Sequence, residues 1–226
     1  GIMHWAEVQM EDESIRRVPA VRLHREFWSE QAECTPEAMD QLLAVDAKGQ
    51  EISKITEKFD MELVLESELG VDIDVEETGS TFEENSFLKA DAVMKATGLP
   101  ALADDSGIAV DALNGEPGIY SARYGFDESL DDRGRLNLLL KNTENVPDDK
   151  RQAKFVCVIT LVTPQGQTIQ ARGEVHGMLL RAPAGENGFG YDPIFYYPPF
   201  GKSLAQVSPE EKNRVSHRAN ALKVFY

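Results

Sequence analysis

Two adjacent aspartates follow directly on an apolar run in this chain. Residues 99–103 read Leu-Pro-Ala-Leu-Ala, and Asp104 and Asp105 come next. The short apolar run predicts a buried strand that the chain enters through a turn rich in Gly and Pro. Burying one carboxylate is costly unless it is paired, hydrogen-bonded or bound to a cation, and two adjacent carboxylates also repel each other. A bound metal ion or a shared proton would relieve that repulsion.

The two residues after the aspartates suit a turn that approaches a phosphate. Ser106 adds a hydroxyl group, and Gly107 adds a backbone with no side chain to obstruct a ligand. The simpler interpretation is that Asp-Asp-Ser-Gly forms a polar turn between two short strands, over 99–103 and 107–112. Taken alone, these four residues favour the simpler interpretation.

The clearest periodic patterns elsewhere predict helices and a hairpin. We expect an amphipathic helix over 82–97, ending at Gly98, and a second helix over 130–142. Two apolar-alternating runs, 154–163 and 168–175, flank Pro-Gln-Gly-Gln, which is a hairpin signal. Together with non-local strands, these elements predict one mixed α/β domain.

Other segments carry less pattern. A final helix is expected after Ser208, with a proline at its first position and acidic residues in its first turn. Weaker signals predict helices over 35–43 and 49–59 and a strand over 61–65. Residues 1–40 show no clean period.

The charge balance excludes one class of function. Lys and Arg total 23 against 39 Asp and Glu, a net charge of −16, which opposes general binding to a nucleic-acid backbone. No apolar run approaches the length of a membrane span, and no signal peptide is apparent. Cys34 and Cys157 form neither a metal-spacing motif nor a disulfide framework, and Cys157 lies in an apolar run that predicts a core position. This cysteine usage fits a reducing cytoplasm.

Four ordered blocks of sequence carry a resemblance. The first continues from the aspartates through Gly-Glu-Pro-Gly-Ile-Tyr-Ser-Ala-Arg at residues 115–123. The others are Thr-Gly-Ser-Thr-Phe-Glu-Glu-Asn at 78–85, Gly-Phe-Gly-Tyr-Asp-Pro-Ile-Phe at 188–195, and Ser-Pro-Glu-Glu-Lys-Asn at 208–213 followed by Ser-His-Arg. In this order the blocks resemble the inosine triphosphate pyrophosphatase family, from about residue 51 to the C-terminus.

The resemblance implies an activity and an architecture. These house-cleaning enzymes hydrolyse the non-canonical purine nucleoside triphosphates ITP, dITP and XTP to the monophosphate and pyrophosphate, with Mg²⁺. The family fold is an elongated, two-lobed α/β fold around a mixed sheet, with the nucleotide site in the cleft between the lobes, commonly in a homodimer. We therefore expect a pyrophosphatase domain over 41–226 and an N-terminal segment of unknown role over 1–40.

By the same resemblance, three acidic residues form the metal site. Asp105 binds Mg²⁺ and is assigned as the base that activates water, although a metal-bound carboxylate is a weak base and could mainly orient that water. Glu84, the acid before the Asn of its block, binds the metal, and Asp104 supports Asp105 as a ligand or as a neighbouring acid. Taken without the resemblance, Glu84 lies three residues after Thr81 and could simply close a helix capping box.

The remaining candidates contact the substrate. By resemblance, Phe189 stacks on the purine, and the backbone of 189–192 reads the 6-oxo group together with two residues near the C-terminus. The simpler alternatives are a Phe189 side chain in the core and ordinary solvated lysines on the helices. The full substrate-binding set is Lys48, Lys89, Ser106, Phe189, Gly190, Tyr191, Asp192, Lys212, His217 and Arg218.

One segment departs from the family pattern. The family opens with Ala-Thr-x-Asn followed by Lys-x-x-Glu, a loop that cradles the triphosphate. Here Lys48 and Glu51 fit Lys-x-x-Glu, but Leu43 or Val45 stands where the polar residues belong, and another register places Gln50 at the Lys. The alternative functions are therefore a catalytically impaired nucleotide-binding relative and a metal-dependent phosphatase that releases orthophosphate.

Overall fold

The structure is a computed structural model that describes residue 69, residues 73–225 and the backbone of earlier strands at 4–9, 15–20, 44–45 and 64–65. The strands are β1 His4–Gln9, β2 Ile15–Ala20, β3 Ala44–Val45, β4 Val64–Leu65, β5 Ala101–Val110, β6 Gln152–Val162, β7 Thr168–Leu179, β8 Phe195–Tyr197 and β9 Lys202–Ser203. The α-helices are α1 Phe82–Thr97, α2 Asp132–Asn142, α3 Pro209–Val215 and α4 His217–Phe225.

Strands β3 to β9 form one mixed sheet in the order β4-β3-β5-β6-β7-β8-β9. Strand β3 runs parallel to both β4 and β5, whereas β7, β8 and β9 pair antiparallel. Strands β1 and β2 form a separate antiparallel pair. The expected mixed α/β class is confirmed.

The chain divides into two compact units. The first comprises Gly1–Asp104, Ile159–Ala171 and Phe225–Tyr226, and the second comprises Asp105–Val158 and Arg172–Val224. A small cluster of Ala90, Ala103 and Val162, with Met94 against it, lies in the first unit. The larger core of the second unit consists of Ile108, Val110, Tyr124, Leu136, Leu139, Ala153, Phe155, Val175, Leu179, Tyr191, Ile194, Phe195 and Leu204.

The helix over 82–97 and the hairpin are confirmed. Helix α1 has the predicted bounds and ends at Gly98, whose φ of 68° is left-handed and whose N–H donates to the carbonyl of Met94 at 2.8 Å. A residue without a side chain adopts this conformation at little cost. Strands β6 and β7 flank the predicted turn, and both are longer than the runs that indicated them. Cys157 lies in β6 and is fully buried, as predicted.

The predicted turn at Asp-Asp-Ser-Gly is wrong. Strand β5 runs without interruption through both aspartates, where two strands and a turn were expected. In the sheet order β5 lies between β3, which pairs with Ala101 and Leu102, and β6, so sheet pairing keeps this strand extended despite its polar side chains. Pairing with neighbouring strands outweighs the weak local preference of these residues for a turn.

The helix expected after Ser208 is confirmed: α3 begins at Pro209 with Glu210 and Glu211 in its first turn, and a further helix, α4, follows it. The chain is extended at Ser216, with ψ of 159°, and this residue separates α3 from α4. Its hydroxyl accepts a hydrogen bond from the N–H of Ala219 at 3.1 Å, which caps the start of α4 as serine commonly does. The break therefore separates Lys212 from the His-Arg pair at 217–218.

Several predictions concern segments before residue 73, most of which the structure does not describe. The predicted helices over 35–43 and 49–59 lie outside the described residues, and β4 falls within the predicted strand over 61–65. The proposed division at residue 40 stays a prediction. None of the helices in the described part has the length and apolar character needed to cross a membrane.

Replacing Leu139 should test the core of the second unit. Leu139→Ala removes a fully buried side chain from α2, so we expect the free energy of unfolding to fall by about 2–5 kcal/mol. The exposed Asn137 on the same helix provides the control, because Asn137→Ala should change stability by less than about 0.5 kcal/mol. Urea unfolding measures both, and equal effects would contradict this packing.

Candidate active site

Strand β5 buries both aspartates. Asp104 is fully buried and Asp105 is 3% exposed, while Ser106 is the one partly exposed residue of the strand. Successive side chains of a strand project to opposite faces of the sheet. The two carboxylates are therefore not expected to converge on one point, and one shared ion does not by itself account for both burials.

The donor chemistry at β5 suits a hard divalent cation. Buried carboxylates that stay ionised need positive charge or hydrogen bonds nearby. Within the described residues, no group of three or more His, Cys, Asp and Glu side chains is arranged to hold a metal. Mg²⁺ commonly takes only one or two carboxylates from the protein and completes its shell with phosphates and water. The residues present fit that mode of binding.

The start of α1 holds Glu84 by hydrogen bonds from the preceding turn. Its N–H donates to the hydroxyl of the N-cap residue, Thr81, at 3.1 Å. Its carboxylate accepts from both the N–H and the hydroxyl of Ser80, at 2.6 Å and 2.8 Å. The carboxylate thus reaches Ser80 in addition to the Thr81 backbone that the capping box predicted. The two hydrogen bonds from Ser80 lower the pKa of Glu84, because they favour the ionised carboxylate.

The turn before α1 also requires a glycine. The N–H of Gly79 donates to the side-chain oxygen of Asn85, which is fully buried, at 2.8 Å. A Cβ atom on Gly79 would lie 2.6 Å from that oxygen and 2.7 Å from the Cβ of Glu84. The turn therefore packs directly against the residue proposed to bind the metal.

Lys89 lies on α1 and forms an ion pair. Its ammonium group is 3.0 Å from the carboxylate of Glu77, and both side chains are largely buried. The resemblance implied a phosphate contact for Lys89, and no local pattern indicated Glu77. This contact places a balancing charge beside a cation that is a candidate for binding an anion.

In the second unit, Asp192 organises the glycine-rich loop. One carboxylate oxygen accepts from the N–H of Phe189 at 2.9 Å and from the ammonium of Lys212 at 2.7 Å. A Cβ atom on Gly188 would lie 2.2 Å from that same oxygen. Both charged groups are buried, so the alternative of an exposed Asp192 is wrong. Asp192 orients the protein's own loop, and its role toward a ligand group stays a prediction.

The loop presents the ring of Phe189 to solvent. This side chain is 54% exposed, which contradicts the alternative of a Phe189 buried in the core. The ammonium of Lys212 lies 4.4 Å from the ring centroid, and the guanidinium carbon of Arg218 lies 5.8 Å from it. Cations at these distances are attracted to an aromatic ring. An exposed aromatic ring flanked by cations is a suitable surface for stacking a base.

Two other predicted substrate-binding residues, His217 and Tyr191, have buried side chains that contact other parts of the protein. The ring of His217 is buried and stacks on Phe155, with centroids 5.0 Å apart and planes 16° apart. The hydroxyl of Tyr191 donates to the carbonyl of Ser121 at 2.8 Å, and burial raises the pKa of Tyr191. The Tyr191 ring is therefore part of the core, as the sequence allowed.

Helix α4 is seated directly on β7. A Cβ atom on Gly173 would lie 2.0 Å from the backbone nitrogen of Ala221 and 2.2 Å from the carbonyl oxygen of His217. The amide of Asn220 donates to the carbonyl of Glu174 at 2.8 Å. Because Gly173 has no side chain, the helix that carries His217 and Arg218 can approach β7 this closely. No local pattern in the sequence indicated this contact.

The predicted residues fall into two groups. In the second unit Phe189 contacts Asp192, Lys212 and Arg218, and Lys212 also contacts Asp192. Glu84 and Lys89 lie on α1 in the first unit. Gly190, with a left-handed φ of 57°, belongs to the loop of the first group. Lys48 lies outside the described residues. Ser80 was missed, although its position four residues before an acid at a helix start could have indicated it.

The chain is similar to proteins of known family. A sequence model of the Ham1 family matches residues 46–226. A Clostridium perfringens protein named dITP/XTP pyrophosphatase is 46% identical over 182 residues, which are 78% of this chain and 89% of the relative.

Solved structures agree with this match. The Staphylococcus aureus Ham1 protein superposes with a TM-score of 0.71 at 45% identity, covering 81% of this chain and 95% of that protein. A Mycobacterium abscessus structure, named nucleoside-triphosphatase / dITP/XTP pyrophosphatase, gives a TM-score of 0.68 at 39% identity, covering 81% and 98%.

The Ser80 contact predicts a titration. Ser80→Ala removes one of the hydrogen bonds that favour ionised Glu84, so its pKa should rise part of the way toward the ordinary value for glutamate. Carboxyl-carbon NMR titration measures this shift. Ser129→Ala is the matched control, because the Ser129 hydroxyl lowers the pKa of Asp127 instead. A Glu84 pKa that does not respond to Ser80→Ala would contradict the contact.

Proposed function

The chain belongs to the Ham1 family, and from this membership we propose that it is a nucleoside triphosphate pyrophosphatase. Its substrates are the non-canonical purine nucleoside triphosphates dITP, XTP and ITP, which it hydrolyses to the monophosphate and pyrophosphate. The names of the relatives support this activity. The observation on this chain that carries the proposal is the exposed ring of Phe189, fixed by Asp192 and flanked by Lys212.

Base recognition rests on the glycine-rich loop. The exposed ring of Phe189 offers its face to the purine, and Arg218 lies close enough to the ring to contact the edge of a stacked base. A donor that is buried by the substrate discriminates strongly, because it loses its partner when the wrong base binds. We assign to this loop, with His217 and Arg218, the preference for a 6-oxo purine over adenine.

The acidic residues are assigned to the metal and to water. We propose Asp105 and Glu84 as ligands of a divalent cation, taken to be Mg²⁺, and Asp104 as a supporting acid on the opposite side of β5. The cation would neutralise charge on the phosphoryl oxygens. Asp105 accepts a proton from the attacking water, or orients that water, for in-line displacement at the α-phosphate. Hydrolysis needs little other covalent chemistry from the protein.

Lysines and a hydroxyl complete the substrate contacts. We propose that Lys89 and Lys48 bind phosphates, and that Ser106, which follows the two aspartates in sequence, also contacts the substrate. Lys212 has a second assignment: because its ammonium contacts Asp192 and faces Phe189, it supports the base platform in addition to carrying positive charge.

Location and assembly follow from the same premise. We propose that the protein works in the cytoplasm, where nucleoside triphosphates accumulate, and that it assembles as a homodimer. Light scattering coupled to size-exclusion chromatography tests the assembly. None of the comparisons favours the alternative of a nucleotide-binding relative without turnover.

One assay tests the function. Purified protein with Mg²⁺ and ITP, dITP, XTP, ATP or GTP should release pyrophosphate from the first three and little from the last two. Pyrophosphate and orthophosphate are measured separately. Orthophosphate as the product would indicate a phosphatase, and binding of ITP without turnover would indicate the impaired relative.

Asp105→Asn tests the assignment of the metal and water. The change keeps the shape of the side chain and removes its charge, so the rate of pyrophosphate release should fall by about 100-fold or more with an unchanged circular dichroism spectrum. Asp149→Asn, at an exposed position, is the control and should keep the wild-type rate. A near-normal rate for Asp105→Asn would exclude its catalytic role.

Phe189→Leu tests the base platform. Loss of stacking should weaken ITP binding by about 1–3 kcal/mol, which appears as a higher KM with kcat little changed. Phe126 is a matched control, since it is 73% exposed and lies elsewhere in the second unit. Equal KM values for Phe189→Leu and Phe126→Leu would exclude stacking on Phe189.

A further inference from the structure

A closed set of hydrogen bonds joins the first turn of α1 to β6 and β7 within the first unit. The hydroxyls of Ser86 and Thr160 are 2.6 Å apart, and both side chains are fully buried. The amide nitrogen of Gln170 donates to the Thr160 hydroxyl at 2.9 Å and to the carbonyl of Glu83 at 2.9 Å. The Ser86 hydroxyl donates to that same carbonyl at 3.1 Å.

The donors and acceptors allow one consistent direction around this ring. Each hydroxyl has one hydrogen, and the amide of Gln170 has two. Gln170 uses one hydrogen on Thr160 and the other on Glu83. Thr160 then donates to Ser86, and Ser86 donates to Glu83. Every hydrogen is used once, and two of the bonds end on a single backbone carbonyl.

That carbonyl belongs to the peptide group of Glu84. The C=O of Glu83 and the N–H of Glu84 lie in one rigid plane. The ring holds the carbonyl side of this plane, and Thr81 accepts from the N–H side at 3.1 Å. Because the peptide plane is held on both sides, the Cα atom from which the Glu84 side chain extends is fixed in position. The carboxylate at the other end of that side chain is held by Ser80.

We propose that Thr160, Ser86 and Gln170 are positioning residues that set the geometry of Glu84 for binding the metal. This role rests on the proposed function, because it takes Glu84 as a ligand. Residues that orient a ligand without touching the metal commonly change metal affinity by about 10–100-fold when replaced. The ring does this from β6 and β7, where Thr160 lies 74 residues after Ser86 and Gln170 lies 87 residues after Glu83.

Thr160→Val is the main test, because it keeps the shape of the side chain and removes the hydroxyl that closes the ring. Binding of Mn²⁺ alone, followed by electron paramagnetic resonance, should weaken by about tenfold. The Mg²⁺ concentration for half-maximal pyrophosphate release should rise by a similar factor, while KM for ITP at saturating Mg²⁺ stays unchanged. Thr160→Ser should restore both metal values.

Two further variants separate positioning from general loss of structure. Thr163→Val removes a buried hydroxyl just beyond β6, which accepts from the N–H of Gln167 at 3.2 Å, and it should leave Mn²⁺ affinity unchanged. Gln170→Met removes two donated bonds from an exposed position, so it tests the ring even if Thr160→Val fails to fold.

Glu84→Gln distinguishes the two ways the proposal can fail. Wild-type Mn²⁺ affinity no higher than that of Glu84→Gln would remove Glu84 from the metal site and with it the basis in the proposed function. If the wild type binds Mn²⁺ more tightly than Glu84→Gln, but Thr160→Val and Gln170→Met both match the wild type, the positioning role alone is overturned.

Discussion

Strand β5 has to keep two ionisable side chains inside the protein while its backbone continues as part of a sheet. The sheet order places β5 between β3 and β6, so its backbone pairs within the sheet as an extended strand and does not form a polar turn. The carboxylates then become the groups that require compensation, and burial makes that requirement strong. The peptide bond between Asp104 and Asp105 is also a boundary between the two compact units: Asp104 belongs to the first and Asp105 to the second.

Both groups of candidate residues use a carboxylate to organise backbone. Glu84 accepts from the N–H of Ser80 before α1, and Asp192 accepts from the N–H of Phe189 in the glycine-rich loop. Charged acceptors make stronger hydrogen bonds than neutral ones, so each loop is held in one shape before any substrate arrives. Such preorganisation is what electrostatic catalysis and selective binding both require.

The sequence predicted correctly those features that depend on residues close together in the chain, such as the two ends of α1. Helix α1 begins at a capping threonine and ends at a left-handed glycine, and both are readable from a few neighbouring residues. The continuity of β5 depends on strands far away in sequence, so the residues around Asp104 and Asp105 carry no local sign of it. The burial of Asp192 depends on Lys212, 20 residues later, and the seating of α4 depends on Gly173 beneath it. The site residues were predicted by their match to family motifs. Such a match identifies the residues but does not show which distant residues contact them.

The oxygen of Asp192 that binds both the loop and Lys212 also has an evolutionary consequence. Any side chain at 188 would occupy the space of this oxygen, and a shorter residue at 192 would leave the buried ammonium without its acceptor. We therefore expect positions 188, 192 and 212 to covary, because a single substitution at any of them disturbs the contacts of the other two. Drift in base preference among descendants of this sequence is expected to proceed through the residues around the loop, while these three change together or stay fixed.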